Sequence, residues 1–289
     1  MFKIAILGCE NSHANGFLSQ IKEGLFPEVE VIGIYSDERE PAEKLSETYG
    51  VPVMNDYAEL AGKVDGIMIT ARHGDNHLKY AVPYMPYGIP MFVDKPITVK
   101  PDEAIELVNK AKKYGNKICG GSSCIHIKQT VELKEYFRNL TDDKVIGGTV
   151  VCPIVMESPY GGFYFYAQHL IQIMMEIFGE NPRNVTANEV GEQIYMIVEY
   201  DDFAVTATYS KELPHYYAEV ITRKGVKSKE LIVDNECFVC EMKEMDDLLH
   251  GKKMKVSYDS FIRPVFVMDA IMKSLNNKEK VQIVFPASI

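Results

Sequence analysis

The feature that most constrains the fold of this chain is a regular alternation of short apolar runs with amphipathic stretches, from residue 3 to about residue 120. The apolar runs predict strands, which cover residues 3–7, 29–35, 66–70, 91–93 and 117–119. The stretches at residues 43–49 and 102–114 have the spacing of helices. Strands that alternate with helices form a doubly wound parallel sheet. Residues 1–120 are therefore predicted to form an α/β domain of this kind.

Beyond residue 121 the pattern changes, because strand-like segments follow one another directly. They lie at residues 147–152, 193–199, 203–209, 217–222 and 236–240, with helical patterns at residues 166–178 and 261–275. Tyr195 and Ile197 alternate with Met196 and Val198, which is typical of a sheet with one covered face. Residues 121–289 are therefore predicted to form an α+β domain with a largely antiparallel, open-faced sheet. An exposed apolar sheet has to be covered, so we expect a homodimer or homotetramer formed through it.

The composition limits the partners of the chain. At 289 residues the chain is long for one hydrophobic core, which favours two domains. The net charge of −10 and the lack of a basic run argue against nucleic acid or an anionic membrane, and favour a small-molecule substrate. The N-terminal apolar run is too short for a signal peptide, and no later segment approaches a bilayer span. We therefore expect a cytoplasmic protein whose six scattered cysteines are thiols.

The first predicted strand is followed by a glycine and then by a helical pattern, in the sequence ILGCENSHA. The fingerprint of a dinucleotide-binding turn has glycine at its first, third and sixth positions. Only Gly8 matches, and Glu10 and His13 occupy the other two positions. Two interpretations stay open. The segment is a dinucleotide-binding turn, or it is a structural strand-to-helix turn with Asn11 or Ser12 as the helix cap.

The second predicted strand ends in Tyr35 and is followed by Ser36 and Asp37. An acidic residue at this place, roughly 20 to 30 residues past the glycine turn, binds the ribose hydroxyls of NAD. Arg39 beside it would instead pair with the extra phosphate of NADP, so the choice between NAD and NADP stays open. The alternative is a solvated turn over residues 37–40 that binds no ligand.

Farther along, the sequence has Thr70-Ala71-Arg72 with His77, then Asp94-Lys95-Pro96, a helical pattern and the run KICGG. In order and spacing these motifs resemble the nucleotide domain of the Gfo/Idh/MocA family, the relatives of glucose-fructose oxidoreductase and inositol dehydrogenase. The family usually has Glu-Lys-Pro where this chain has Asp-Lys-Pro. The resemblance implies a Rossmann fold and an NAD(P)-dependent oxidoreductase. The cofactor-binding residues that it implies are Gly8, Glu10, Asn11, Ser12, His13, Ser36, Asp37, Thr70, Arg72, His77, Asp94, Lys95 and Pro96.

Removal of a hydride from a secondary alcohol needs a base for the hydroxyl proton and a cation for the developing alkoxide. The resemblance implies that Lys95 is the cation. Asp94 would hold its ammonium group charged, and Pro96 would fix the turn through a cis peptide bond. A surface lysine in a turn is the alternative.

The resemblance also implies a histidine base on the first helix of the second domain, in the pattern Asp-x-Gly-x-His-x-x-Asp. The histidine is His169 here, and Phe165 and Gln172 stand at the two acidic positions. Histidine titrates near neutrality and can accept a proton from an alcohol. Without a carboxylate, three alternatives stay open. A hydroxyl of Tyr164 or Tyr166 takes over, the substrate is unusual, or the dehydrogenase chemistry has decayed.

The substrate pocket is predicted from residues after the glycine pair at 120–121 and from the start of the helix of His169. They are Ser122, His126, Tyr164, Tyr166 and Gln172. Hydroxyl groups and aromatic rings suit a polyol or a sugar, and ordinary packing under a loop is the alternative. No metal site is predicted. Cys237 and Cys240 have zinc-ligand spacing, but no second pair exists, and a strand at residues 236–240 would point them to opposite faces.

The leading prediction is thus an oxidoreductase with NAD or NADP as cofactor, and with Lys95 and His169 at the site of hydride transfer. A rival from another class is a non-catalytic dinucleotide- or sugar-binding protein on the same fold, since the glycine fingerprint and both helix acids are missing. A lyase or epimerase that uses bound NAD transiently is the third possibility.

Overall fold

The structure is a computed structural model that describes residues 1–141 and 143–287. The described chain forms two compact units. Among the described residues, unit 1 consists of Met1–Gly121 and Phe238–Ile262, and unit 2 consists of the rest of the chain from Ser122 to Cys237 and residues 263–287. Within the described ranges, no helix has both the length and the apolar composition needed to cross a bilayer.

Unit 1 is built on a five-stranded parallel sheet. Its strands are β1 (Phe2–Leu7), β2 (Val29–Tyr35), β3 (Gly66–Ile69), β4 (Met91–Asp94) and β5 (Ile118–Gly121). The order β2-β1-β3-β4-β5 puts β1 where the chain order reverses, and open α/β sheets bind ligands at the carboxyl edge beside such a point. The five predicted strands are confirmed to within two residues at either end. A single parallel bridge between Ile34 and Val53 adds a short further edge beside β2.

Four helices connect these strands. They are α1 (Ser12–Lys22), α2 (Arg39–Tyr49), α3 (Asp75–Ala81) and α4 (Pro101–Tyr114). Helix α4 begins with a proline and two acidic residues in its first turn, and it ends at Gly115, whose φ of 77° is left-handed. These signals confirm the helix predicted at residues 102–114. The helix predicted at residues 43–49 is confirmed as the last part of α2.

Unit 2 is built on a seven-stranded sheet in the order β11-β10-β6-β9-β8-β7-β12. Its helices and strands are α5 (Lys128–Arg138), β6 (Val145–Pro153), α6 (Tyr164–Phe178), β7 (Asn184–Val190), β8 (Gln193–Glu199), β9 (Ala204–Ser210), β10 (Tyr216–Thr222), β11 (Gly225–Leu231) and β12 (Val281–Gln282). Neighbouring strands are antiparallel except for the parallel pair β6 and β9. The prediction of a largely antiparallel sheet is confirmed.

One face of this sheet is covered and the other is open. Helix α6 packs against β6 and β9, and α5 packs against β10 and β11. On β8, Met196 and Val198 are buried, whereas Tyr195 and Ile197 are 47% and 50% exposed. The predicted alternation and the open face are therefore confirmed.

Two helices lie between β11 and β12 in the chain. They are α7 (Asn235–Leu249) and α8 (Tyr258–Asn277), and α8 confirms the helix predicted at residues 261–275. The strand predicted at residues 236–240 is wrong, because a helical apolar stripe runs through α7 and outweighs the short β-prone run CFVC. The last part of that stripe is Met242, Met245, Leu248 and Leu249, which lie in the core of unit 1.

The packing of α7 bears on two predictions. The predicted domain division at residues 1–120 and 121–289 stays a prediction, whereas the compact units place Phe238–Ile262 with the first 121 residues. Residues 142, 288 and 289 of the predicted second domain lie outside the described residues.

The argument against zinc from opposite strand faces fails, because Cys237 and Cys240 lie on a helix. No group of three or more side chains that could hold a metal ion occurs among the described residues.

Candidate functional site

Gly8 forms the turn at the carboxyl end of β1. Its φ of 103° is left-handed, and a Cβ atom there would lie 2.1 Å from the backbone nitrogen of Ala71. Thr70, directly after β3, donates a hydrogen bond from Oγ1 to the Gly8 carbonyl at 3.0 Å. The amides of Gly8 and Cys9 donate to the Tyr35 carbonyl at 2.7 and 3.1 Å. Glycine is therefore required here because the backbones of two loops meet at this point.

Glu10 occupies the position of the second glycine in the dinucleotide fingerprint. Its carboxylate accepts one hydrogen bond from Ser36 Oγ at 2.7 Å and one from the backbone amide of Arg72 at 3.0 Å. The two donors lie just beyond β2 and β3, so Glu10 connects the three loops around the end of β1. A carboxylate at this place repels a nearby phosphate and accepts hydrogen bonds from hydroxyl groups.

Asp37 lies two residues beyond β2. Tyr35 donates a hydrogen bond from its hydroxyl to Asp37 Oδ1 at 2.7 Å, and Lys79 Nζ lies 3.5 Å from Oδ2. Burial alone would raise the pKa of Asp37, but the hydrogen bond from Tyr35 and the charge of Lys79 help to lower it. Arg39, the alternative contact for NADP, pairs with Glu43 on its own helix at 2.8 Å. The end of β2 thus offers a carboxylate to a ligand.

The start of α1 supplies backbone donors on the same edge of the sheet. Asn11 is the N-cap, and its Oδ1 accepts a hydrogen bond from the backbone amide of His13 at 3.2 Å. Ser12 opens the helix and is exposed. The N-terminus of a helix attracts negative groups. Together with the turn at Gly8 and the carboxylate of Asp37, these residues fit a dinucleotide, whose pyrophosphate needs amide donors and whose ribose needs acceptors.

His77 lies fully buried in α3 and joins the loops after β3 and β4. Its Nε2 lies 2.8 Å from the Ala71 carbonyl, and its Nδ1 lies 3.3 Å from the Ile97 carbonyl. Burial lowers the pKa of His77, so the ring is neutral and carries one N–H. We assign that N–H to the shorter contact. His77 therefore braces two loops of the carboxyl edge.

Asp94 and Lys95 close β4 in the interior of unit 1, where they are 0% and 4% exposed. Asp94 Oδ1 accepts a hydrogen bond from the Lys95 amide at 2.7 Å, and Oδ2 accepts one from Asn11 Nδ2 at 3.0 Å. His13 Nδ1 lies 2.8 Å from the same Oδ2. The bond between Lys95 and Pro96 is cis, which confirms the predicted cis peptide. Lys95 is thus a buried residue rather than a surface lysine.

The charge of Asp94 follows from its neighbours. Burial alone would raise its pKa, but the charges of His13 and Lys95 and the hydrogen bonds to Asp94 outweigh burial and lower the pKa. Asp94 is therefore a carboxylate at neutral pH. A fixed anion next to a lysine favours the ammonium form of that lysine.

A second buried carboxyl group belongs to this cluster, and the sequence did not reveal it. Glu241 on α7 is 1% exposed, and neither of its oxygens has a hydrogen-bond partner within residues 1–141 and 143–287. Burial raises the pKa of Glu241 well above its usual value, Asp94 raises it further, and Lys95 lowers it. The signal that would have found it is an acid inside the apolar stripe from Phe238 to Leu249.

His169 lies on α6 in unit 2 and is 5% exposed. Its Nδ1 lies 2.6 Å from Ser122 Oγ and 3.4 Å from Cys124 Sγ. Ser122 Oγ also accepts a hydrogen bond from the Cys124 amide at 3.2 Å. The ring of Tyr166 packs edge-on against His169, with the ring centroids 5.0 Å apart. A hydroxyl group therefore holds Nδ1 in place.

Gln172 and Phe165 stand at the two positions where the family pattern has acids. Gln172 Oε1 accepts hydrogen bonds from the Ser122 amide at 2.6 Å and from Gln168 Nε2 at 2.7 Å. Phe165 packs between Tyr160 and Tyr166, with centroid distances of 5.7 and 5.3 Å. The neutral amide of Gln172 thus fixes the start of the segment that carries Ser122.

The remaining predicted substrate residues lie on the same two segments of unit 2. Tyr164 opens α6 and packs against the ring of Phe163 at 5.5 Å. Burial raises the pKa of Tyr164 and the charge of Asp269 adds to it, so its hydroxyl keeps its proton at neutral pH. His126 ends a short 3-10 turn and is half-buried. Ser122, Tyr166 and Gln172 are thus drawn together around His169, and Tyr164 and His126 lie on the neighbouring turns.

The sequence of residues 2–121 matches the model of a family described as an oxidoreductase family with an NAD-binding Rossmann fold. The matched residues include Gly8, Asp37, Asp94 and Lys95. That description confirms the predicted nicotinamide dinucleotide cofactor. A comparison with curated proteins found no match.

Solved structures with the same fold cover nearly the whole chain at low sequence identity. GenD2 from gentamicin A biosynthesis, in complex with NAD, has a TM-score of 0.86 at 16% identity, over 98% of this chain and 96% of its own. A putative myo-inositol dehydrogenase from Sinorhizobium meliloti 1021 has a TM-score of 0.80 at 15% identity, over 98% and 100%. A myo-inositol dehydrogenase from Corynebacterium glutamicum ATCC 13032 has a TM-score of 0.81 at 15% identity, over 99% and 100%. These similarities confirm the predicted fold class.

Proposed function

Because residues 2–121 of this chain belong to the Gfo/Idh/MocA family of oxidoreductases, we propose that it is an NAD(P)-dependent oxidoreductase acting on CH–OH groups. The proposed reaction moves a hydride between the nicotinamide and a hydroxyl or carbonyl carbon of a small polyol, sugar or derivative. The observation that carries the proposal is Lys95, buried at the carboxyl end of β4 beside the carboxylate of Asp94. A buried lysine is costly to maintain and therefore points to a function.

We propose NAD as the preferred cofactor. When bound, the nicotinamide takes up or supplies the hydride. The Gly8 turn and the first amides of α1 would hold the pyrophosphate. Glu10 and Asp37 both present carboxylates near the end of β2, where they accept hydrogen bonds from ribose hydroxyls and repel the extra phosphate of NADP. The pairing of Arg39 with Glu43 supports the same choice, since it holds Nε of the guanidinium against its own helix.

Lys95 is proposed to stabilise the alkoxide that develops on the substrate oxygen. An ammonium group in a site of low dielectric stabilises a developing oxyanion far more than water does. Asp94 keeps the positive charge on this side chain. The carboxylate is itself fixed by Asn11 and His13, so it does not have to reorganise during the reaction.

His169 is proposed to take the hydroxyl proton. For Nε2 to accept a proton, the neutral ring has to carry its own proton on Nδ1. Nδ1 then donates to Ser122 Oγ, which lies 2.6 Å away and also accepts the amide of Cys124. Two accepted bonds use the two lone pairs of the hydroxyl. Ser122 thus sets the tautomer of His169, the task of a carboxylate in the family pattern.

The proposed substrate is uncharged. Ser122, Cys124 and Tyr166 contact His169 through a hydroxyl, a thiol and a phenol ring, and the amides of Gln168 and Gln172 lie behind Ser122. Such groups exchange hydrogen bonds with the hydroxyls of a polyol or sugar and offer no pair to a carboxylate or phosphate. Two structures of the same fold carry the name myo-inositol dehydrogenase, which supports the same class of substrate.

The first experiment is a fluorescence titration of the purified protein with NADH and NADPH. We expect saturable binding of NADH and weaker binding of NADPH. Binding of neither would overturn the proposed function. The second step is a spectrophotometric assay of NAD reduction with myo-inositol, D-glucose and related cyclic polyols. Binding without reduction across this panel would point instead to a non-catalytic binding protein, and conversion of substrate without net NADH would point to a lyase or epimerase.

We also propose that the open face of the sheet in unit 2 is an interface between copies of this chain. Tyr195 and Ile197 stand exposed there beside Thr206, which is hydrogen-bonded to Thr149 at 3.0 Å. Light scattering should show a dimer or tetramer, and Ile197→Lys should yield monomers. Leu25→Lys, at a site 52% exposed in unit 1, is the control and should leave the assembly unchanged. A monomeric wild-type protein would contradict the proposal.

A further inference from the structure

Lys79 on α3 lies beside Asp37, the carboxylate that the proposed function assigns to the ribose hydroxyls of the cofactor. Its Nζ lies 3.5 Å from Asp37 Oδ2. Asn76, one turn earlier on the same helix, donates a hydrogen bond from Nδ2 to the same oxygen at 3.4 Å. Helix α3 therefore presents an amide group and an ammonium group to the end of β2.

Aromatic rings hold this ammonium group in place. Lys79 Nζ lies 5.2 Å from the ring centroid of Tyr57 and 5.3 Å from that of Tyr80. The two rings pack together at 5.2 Å, and Tyr35 packs edge-on against Tyr80 at 5.6 Å. Tyr80 itself is completely buried. Because the faces of aromatic rings attract an ammonium group, the position of Lys79 does not depend on Asp37 alone.

The pair formed by Lys79 and Asp37 is open to a ligand. Its length of 3.5 Å exceeds that of a charge-assisted hydrogen bond, about 2.7 to 2.9 Å, and the two side chains are 46% and 44% exposed. Tyr35 holds the other oxygen of Asp37 at 2.7 Å, so the carboxylate keeps its place when Oδ2 changes its partner. A molecule bound at the end of β2 therefore meets both a carboxylate and an ammonium group.

We propose that Lys79 sets how strongly the chain discriminates between NAD and NADP, as the cation that would bind the extra phosphate of NADP and that Asp37 neutralises. This inference rests on the proposed function. A ribose hydroxyl donates a hydrogen bond to Asp37 and gains little from an ammonium group. A phosphate at the same ribose is repelled by Asp37 and attracted by Lys79. The two effects oppose each other, so the preference for NAD is smaller than Asp37 alone would produce.

The test consists of fluorescence titrations of the full chain with NADH and with NADPH, at an ionic strength of about 0.1 M. Lys79→Met should weaken the binding of NADPH about 10-fold, because a charged partner of the phosphate is lost. The binding of NADH should stay within about twofold of the wild type, since Tyr35 still holds Asp37. Lys79→Arg keeps the charge and should keep the binding of NADPH. Lys110→Met is the control, because Lys110 on α4 also pairs with a carboxylate, that of Glu106 at 3.6 Å, and both affinities should stay unchanged.

Asp37→Asn tests the neutralising role of the carboxylate. It should strengthen the binding of NADPH about 10-fold, and Asp37→Asn combined with Lys79→Met should lose that gain. A gain that persists in the double variant would overturn the inference, because another group would then bind the phosphate. Equal weakening of NADH and NADPH by Lys79→Met would overturn it as well. If the wild type binds neither cofactor, the proposed function fails and this inference with it. If NADH binds and these variants do not change the ratio of the two affinities, this inference alone fails.

Discussion

Around Lys95 in unit 1 the structure gathers ionisable groups, whereas the described neighbours of His169 in unit 2 are neutral. His13 pairs with Asp94 at the end of β4, Glu241 interacts electrostatically with the same carboxylate, and Asp94 is completely buried. At His169 the neighbours are a hydroxyl, a thiol and a phenol ring. In the proposed reaction the two groups have different tasks. We propose that Lys95 and Asp94 stabilise the alkoxide, and that the groups at His169 orient its ring and recognise hydroxyl groups.

The largest expected effect is that of Asp94→Asn on stability. Removal of one partner from a buried charge cluster typically costs about 3–5 kcal/mol, because the remaining charge is left without compensation. We expect a loss of that size in the free energy of unfolding by urea at neutral pH. The lowered pKa of Asp94 gives the sign of the pH effect, since the contribution is present above the ordinary carboxyl pKa and is lost as pH falls through the folded value.

Asp201→Asn is the matched control for this change. Asp201 pairs with Arg183 at 2.7 Å, but its side chain is 69% exposed, so its loss should cost less than about 1 kcal/mol. Equal losses in the two variants would mean that the cluster around Lys95 is no more important to stability than a surface ion pair. The contrast between the two units would then have no energetic basis.

Lys95→Met is expected to lower turnover by about 10²- to 10³-fold, the effect of losing one preorganised group that stabilises an oxyanion. Methionine keeps the length of the side chain and removes its charge. The affinity for NADH, measured by fluorescence, should stay close to that of the wild type. Lys100→Met removes an exposed lysine that pairs with Glu103 at 2.9 Å, and it should leave turnover unchanged. Normal turnover in Lys95→Met would mean that the charge of Lys95 has no role in the reaction.

Much of the structure of unit 1 could be predicted from the sequence, because the signals for its strands and helices lie within short stretches of the chain. The strand at Met91–Asp94 is an uninterrupted apolar run, and the helix at Pro101–Tyr114 has both of its end signals. The sequence also placed Lys95 at a strand end. It could not show that Asp94 meets Asn11, more than eighty residues earlier in the chain, because that contact depends on the strand order.

The segment at residues 236–240 shows why other features could not be predicted from the sequence. Its four residues CFVC favour a strand on propensity, and only the longer stripe to Leu249 gives the helix. With the helix missed, there was no reason in the sequence to single out Glu241. The partner of His169 was missed for a different reason. The family pattern directs attention to the two acidic positions on the same helix, whereas Ser122 lies on another segment.

Glu241→Gln should make the protein more stable than the wild type, and increasingly so as pH rises. The raised pKa means that the folded state binds a proton that the unfolded state releases above about pH 4.3. The wild type therefore loses stability, at up to about 1.4 kcal/mol per pH unit, until the pH passes the folded pKa. The neutral amide has no such dependence. Melting curves of both proteins from acid to alkaline pH measure the difference, and parallel curves would mean that Glu241 is ionised in the folded state.

The smallest expected effect is that of a substitution at Ser122, among the neutral groups around His169. Ser122→Ala removes the hydroxyl that holds Nδ1 of His169 and leaves Cys124 Sγ, 3.4 Å from Nδ1, as a weaker acceptor. Turnover should fall about 10-fold, equivalent to about 1.4 kcal/mol, because the ring spends less time in the reactive tautomer. The KM for the polyol should change little, since the hydroxyl acts on the ring. Ser123→Ala, the same change one residue along, should stay within about twofold of the wild type. A rise in KM without a fall in turnover would show that Ser122 binds the substrate directly, and unit 2 would then recognise hydroxyl groups without orienting the base.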